Sequence, residues 1–215
     1  FFRPMPEARQ AFRSRYGLSD QDKAVISVGH MIARKGLPEF LELARSMPQV
    51  RFFWFGYTAP ELVPAVIREA LANAPENVTF PGYVSREELR EAYCGCDVFA
   101  FLSHEETEGI VVLEALACGI PTVLRDIPVY EGWLHHGQEV YKAESQEDFR
   151  TQVEGLLDGT LPPLREAGLA LARGRSLEQM GRRLRAVYER EGLPYREEAP
   201  SVLAALHKHI PLYFR

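Results

Sequence analysis

The chain has 215 residues, 46% of them apolar and 26% charged, a balance that suits a core-forming protein and excludes collagen-like, coiled-coil or largely disordered states. Lys and Arg number 25 against 30 Asp and Glu, a net charge of −5, which argues against a general nucleic-acid binder but not against a local anion site. No run of about 18 apolar residues occurs, so no transmembrane helix is expected. The three cysteines, Cys94, Cys96 and Cys118, suit neither a disulfide framework nor a zinc site, and a reducing, cytoplasmic setting is the default.

The opening stretch is basic and broken by Pro4 and Pro6. It does not read as a signal peptide, and Glu7 to Tyr16 reads as a short helix ended by Gly17. A repeating grammar then begins. Ala24 to Val28 is an apolar run before Gly29 and reads as a buried strand. Leu37 to Ser46 has helical spacing, and Val50 to Phe55 is a second strand. Pro60 to Ala72 reads as one helix with proline in its first turn. Val78 to Phe80 is a third strand. Arg86 to Cys94 is a helix with a Ser85/Glu88 capping box. Asp97 to Leu102 is a fourth strand, Ile110 to Cys118 a helix stopped by Gly119, and Thr122 to Leu124 a fifth strand. Val140-Tyr141 offers a sixth. Gln146 to Leu157, Pro163 to Arg173 and Leu177 to Arg190 are helices.

Apolar strands alternating with helices predict an α/β fold: a Rossmann-like, three-layer α/β/α domain on a parallel sheet. Ligands of such sheets bind outside the carboxyl ends of the strands. The loops after Val28, Phe55, Phe80, Leu102 and Leu124 are therefore the places to look.

The most specific stretch runs from Ser103 to Pro121 (SHEETEGIVVLEALACGIP). It leads from a strand end, through an acidic loop with one glycine, into a helix. Helix-start amides attract anions, and glycine admits close approach, so Gly109, Ile110 and Val111 are placed to hold a phosphate. Glu106 and Glu114 offer carboxylates to paired hydroxyls, as on a sugar or ribose. Taken alone, they also fit a solvated loop and a helix surface. Arg125 and Asp126 end a strand and either face the ligand or pair with each other. His104 among Glu105, Glu106 and Glu108 is no more than a loop cluster, and no metal is expected there.

The Glu106/Glu114 pair, with Gly109 and the Ala115 to Gly119 helix end, resembles the E-x7-E signature of retaining, family-4-type glycosyltransferases. Gly29 with Lys35-Gly36, Phe55-Gly56 and Gly82-Tyr83-Val84 resemble that family's other loops, in order. A narrower resemblance, through Arg34-Lys35-Gly36, Trp54 to Tyr57, Glu106 to Leu116 and Arg125 to Tyr130, is to bacterial 1,2-diacylglycerol glucosyltransferases. It implies the C-terminal, nucleotide-sugar-binding half of a GT-B enzyme, with UDP-glucose as donor and no cofactor or metal. The absent N-terminal acceptor domain would be its partner and bring the lipid acceptor.

By the resemblance, Glu106 holds hydroxyls of the transferred sugar, Lys35 neutralises the diphosphate with the Ile110 and Val111 amides, Glu114 binds the ribose, and Val84 meets the base. Lys35 and Glu106 are then the catalytic candidates. Where the family usually has arginine after the first-loop glycine, this chain has His30. Either His30 or Arg34 must help Lys35, since Glu105, Glu106 and Glu108 crowd the phosphates with like charge.

The expected organisation is a domain over 1–195, with 1–23 entering from an interdomain linker, and a C-terminal helix or tail over 196–215. The tail suits packing on the missing half or an interfacial membrane contact. Localisation is expected to be cytoplasmic, peripheral on the inner face of the membrane. The alternatives are a donor domain for another sugar or a soluble acceptor and, from a different class, a dinucleotide-binding or non-catalytic Rossmann-like module; the dinucleotide domain is disfavoured, since Gly29 to Arg34 is not G-x-G-x-x-G and no acid ends the second strand.

Overall fold

The computed structural model describes residues 1–192. Six parallel strands form one sheet: β1 (Ala24–Val28), β2 (Arg51–Phe55), β3 (Val78–Gly82), β4 (Val98–Phe101), β5 (Thr122–Arg125) and β6 (Tyr141–Ala143). Their spatial order is β3-β2-β1-β4-β5-β6. The chain moves outward from β1 to β3, then crosses back to β4, so the switch point lies between β1 and β4. The eight helices described are α1 (Pro6–Arg15), α2 (Leu37–Ser46), α3 (Ala65–Ala72), α4 (Arg86–Gly95), α5 (Ile110–Ala117), α6 (Gln146–Asp158), α7 (Arg165–Gly174) and α8 (Leu177–Arg190).

Strand alternation divides the core in two. Ala24, Ile26, Phe53, Phe55, Phe99 and Phe101 face one side, with Phe12 of α1, Tyr93 of α4 and Leu116 of α5. Val25, Phe52, Trp54, Val98 and Ala100 face the other, with Phe40 of α2, Ile67 of α3 and Phe149 of α6. This is the three-layer α/β/α arrangement that the apolar strand runs imply.

Local chemistry explains most boundaries. The Ser85 hydroxyl accepts from the Glu88 amide at 3.2 Å, and the Glu88 carboxylate accepts from the Ser85 amide at 3.1 Å, closing the expected capping box. Ser145 and Asp148 form a second box at α6. One expected helix is corrected. Pro60–Leu62 is a 3-10 turn and α3 starts only at Ala65, because Val63 precedes Pro64 and is held extended (φ −75°, ψ 119°). Strand β3 runs on to Gly82 through Pro81, which a sheet edge tolerates.

Residues Phe1–Gly174 form one compact unit, and α8 belongs to a second, Arg175–Arg215. On α8, Leu177, Met180 and Leu184 are exposed. The expected tail, 196–215, lies outside the described residues. No helix among the described residues is long and apolar enough to cross a membrane.

Candidate active site

The carboxyl ends of β1, β2 and β3, with the start of α5, enclose a cleft of about 300 Å³ beside the switch point. Gly29, His30, Lys35, Gly56, Tyr57, Gly82, Val84 and Val111 are among its walls. Five residues expected at the site, Gly29, His30, Lys35, Val84 and Val111, thus meet in one place from four separate stretches of sequence.

Lys35 ends a 3-10 turn (Ala33–Lys35), and Gly36 then takes φ 75° to start α2. A Cβ at Gly36 would sit 2.3 Å from the Leu102 carbonyl oxygen, so only glycine lets this turn press against the end of β4. The result is a short ion pair: Lys35 Nζ lies 2.5 Å from Glu106 Oε1, and both side chains are nearly buried, at 13% and 9% exposure. The ammonium also lies 5.7 Å from the centre of the Phe101 ring. Two candidates 71 residues apart are therefore direct partners.

Further bonds fix the loops. The Arg34 guanidinium donates to Glu105 O at 2.9 Å, while Arg34 O accepts from the His104 amide at 2.8 Å. Arg34 is exposed and committed to the acidic loop's backbone. His30 Nδ1 lies 3.0 Å from Tyr57 O, and Met31 N donates to Thr58 Oγ1 at 2.9 Å, tying the β1 loop to the β2 loop. The buried Trp54 indole donates to Gly29 O at 3.0 Å. Trp54 belongs to the core and also sets the backbone of the phosphate-loop candidate.

Helix α5 begins at Ile110 after Gly109, which caps it at φ 69°. A Cβ at Gly109 would stand 2.9 Å from the Tyr130 ring, so the glycine lets the acidic loop lie on that tyrosine. Val112 N bonds back to Gly109 O at 2.9 Å. The amides of Ile110 and Val111 come before it, at the positive end of the helix. Glu114, one turn on, meets the Tyr93 hydroxyl at 3.4 Å. Burial pushes the Glu114 carboxyl up to about 7, against the opposing pull of Arg86 and the Tyr93 hydrogen bond. Arg86 itself stacks on Phe1 and Phe2, at 4.7 and 5.5 Å.

Six expected residues are not among the cleft's walls: Glu106, Gly109, Ile110, Glu114, Arg34 and Arg125. Arg125 Nε donates to Leu102 O at 3.1 Å, and its guanidinium lies 5.6 Å from the Phe149 ring centre. Asp126 pairs with Lys142 at 2.9 Å rather than with Arg125. His104 pairs with Glu39 at 2.7 Å, and among the described residues no three His, Cys, Asp or Glu side chains gather as a metal site.

Such a site suits an anionic ligand carrying hydroxyls. It offers one shielded cation, a helix start, a carboxylate at that cation's side and a second, poorly solvated carboxylate one turn along the helix. Residues 8–168 match the family model described as glycosyl transferases group 1. A processive diacylglycerol alpha-glucosyltransferase of Acholeplasma laidlawii is 41% identical over 179 residues, 83% of this chain and 54% of that protein. The chain thus spans about half the length of this curated relative. Anabaena HepE, solved in complex with UDP-glucose, superposes with a TM-score of 0.75 at 16% identity, over 89% of this chain and 54% of that one. The C-terminal domain of the group 1 glycosyl transferase LpcC from Francisella tularensis matches at TM-score 0.65 and 18% identity, over 80% of this chain and 94% of that domain. These two likenesses bear on the fold alone.

Proposed function

The chain belongs to the group 1 glycosyl transferases, and we propose on that premise that it is the nucleotide-sugar half of a retaining glucosyltransferase acting on a lipid such as diacylglycerol. The observation that carries the reading is the Lys35–Glu106 pair beside the start of α5, at the switch point of the sheet. The 41% identical relative, which bears the name of a diacylglycerol glucosyltransferase, supports the choice of sugar and acceptor. Because the chain spans 54% of that relative, a second, acceptor-binding domain is part of the proposal. So is peripheral attachment to the cytoplasmic face of a membrane.

UDP-glucose enters with its base toward Val84, its ribose hydroxyls on Glu114 and its diphosphate on Lys35 and the amides of Ile110 and Val111. His30 flanks the phosphates. Glu106 receives hydroxyls of the glucose. The bond from glucose C1 to the phosphate oxygen breaks as the acceptor oxygen bonds to C1 on the same face. The acceptor's proton passes to the departing phosphate. Lys35 and the helix start stabilise the charge that grows on the diphosphate, in a site whose donors are already oriented. No metal is assigned a part.

Thermal melts with UDP, UDP-glucose, GDP and NAD test the donor. Stabilisation by the uridine ligands alone is expected, and stabilisation by NAD alone overturns the reading. Transfer of labelled glucose to diacylglycerol vesicles, by this chain joined to a second Rossmann-like domain and not by this chain alone, tests the rest.

A further inference from the structure

Beneath the acidic loop lies a hydroxyl with no present use. Tyr130 closes a short 3-10 turn (Pro128–Tyr130) after β5, is fully buried, and packs edge-on against Trp133 at 5.7 Å. Its Oη finds no hydrogen-bond partner among the described residues. A buried, unsatisfied hydroxyl costs stability, and a state in which it is bonded would recover that cost. The Oη stands 3.0 Å from where a Cβ on Gly109 would be, directly under the loop that carries Glu106. Burial and the Glu106 charge both push the phenol up, which keeps it a proton donor. The Glu106 carboxylate is 9% exposed and held at 2.5 Å by Lys35.

The Tyr130 hydroxyl is one defect, and donor binding would create a second. Lys35 satisfies Glu106, and the Tyr130 hydroxyl has no partner among the described residues. Once a diphosphate draws the ammonium away, Glu106 becomes a nearly buried carboxylate that has lost its cation, and such a loss is costly. We propose that Tyr130 is a positioning residue: its hydroxyl takes the Glu106 carboxylate as Lys35 turns to the donor's diphosphate, and so holds Glu106 toward the sugar. One hydrogen bond then removes both defects. The inference rests on the donor-binding reading above, and it adds the group that keeps Glu106 aimed once its cation is shared.

The test uses the full 215-residue chain, Tyr130→Phe alone, Lys35→Met alone, and both together, with thermal melts and calorimetric titration of UDP-glucose. In the otherwise unchanged chain, Tyr130→Phe deletes an orphaned hydroxyl and should raise Tm by about 2–4 °C. In the Lys35→Met background the hydroxyl is already bonded to Glu106, so the same change should lower Tm by about as much. UDP-glucose should bind Tyr130→Phe roughly ten-fold more weakly, as befits one lost bond to a charged group. A purely structural tyrosine would shift Tm the same way in both backgrounds, and that result overturns the proposal. Unchanged affinity in Tyr130→Phe, with good binding by the parent, overturns this proposal alone. No binding by the parent overturns the donor reading and this proposal with it.

Discussion

The two ends of the sheet use charge in opposite ways. At the amino end, the buried Arg13 of α1 donates to Gly95 O at 3.0 Å, to Asp22 O at 2.6 Å and to Ser19 O, and lies 3.6 Å from Asp97. Asp97 also takes Arg9 at 2.9 Å and the Ala24 amide, at the start of β1, at 2.9 Å. Apart from Arg13 Nε, which has no partner among the described residues, these groups bind one another and the backbone, and they lock α1 to α4 and β1. At the carboxyl end the satisfaction is partial. Lys35 and Glu106 have each other, the Tyr130 hydroxyl has no hydrogen-bond partner among the described residues, and Glu114 is buried enough to resist ionising. The lesson is that charge bonded mainly to the fold's own backbone and counter-ions serves stability, whereas charge with few such partners, at the carboxyl end of the sheet, awaits a ligand.

The sharpest way to break this comparison is at Arg13. Arg13→Ala strips several carbonyls and Asp97 of a buried cation, and should cost about 3–5 kcal/mol of stability with no change in the affinity for UDP-glucose. Denaturant melts and titration check it, and a fall in affinity would mean that the two ends are not separate. Next is Lys35→Ala, which should weaken UDP-glucose binding by roughly 30- to 100-fold, about 2–3 kcal/mol, the range for a lost charged hydrogen bond and more than an exposed lysine would cost. An unchanged dissociation constant removes Lys35 from the diphosphate.

Glu114 gives a smaller, pH-dependent effect. Burial pushes its carboxyl up to about 7. On the proposed reading, ribose hydroxyls would donate to the ionised form and so lower that value. Binding therefore favours the deprotonated site and weakens as pH falls through 7. Between pH 8 and pH 6 the affinity should fall by about ten-fold, one proton's worth of linkage. Glu114→Gln should bind weakly at both pH values and lose the dependence. A ten-fold pH effect that survives in Glu114→Gln assigns the proton to another group. The smallest test sharpens the comparison from within one end. Ser85 stands near the cleft, but its capping box satisfies it. Ser85→Ala should cost about 1 kcal/mol of stability and leave UDP-glucose affinity alone, making commitment, not location, the deciding variable.

Several parts of this molecule were legible residue by residue. The five-residue apolar run Ala24–Val28 is a buried strand because both of its faces are covered, and Ser85/Glu88 mark a helix start because they satisfy each other's amides. The one misread helix, Pro60 to Ala72, failed where the restriction imposed by Pro64 on Val63 outweighed helical spacing. At the site, Glu106, Gly109, Glu114 and Lys35 stood out as residue types suited to sugar and phosphate. Nothing in their spacing said that Lys35 and Glu106 touch, that Arg34 is committed to Glu105 O, or that Arg125 turns to Leu102 O and Phe149. Tyr130 lay in a stretch noted for resemblance alone. Its position under Gly109 has no local signature.

By itself, then, the sequence determined the α/β class, nearly every element and the loops that carry the site, because hydrophobic period, caps and glycine turns act over a few neighbouring residues. Only the tertiary structure decided which charges are mutual partners and which are left short of one. Strand order brings the ends of β1 and β4 side by side, 71 residues apart in the chain for Lys35 and Glu106. Burial then sets what each charge is worth: a carboxylate's behaviour depends on the water and partners around it, and those are properties of the folded cleft rather than of the residue.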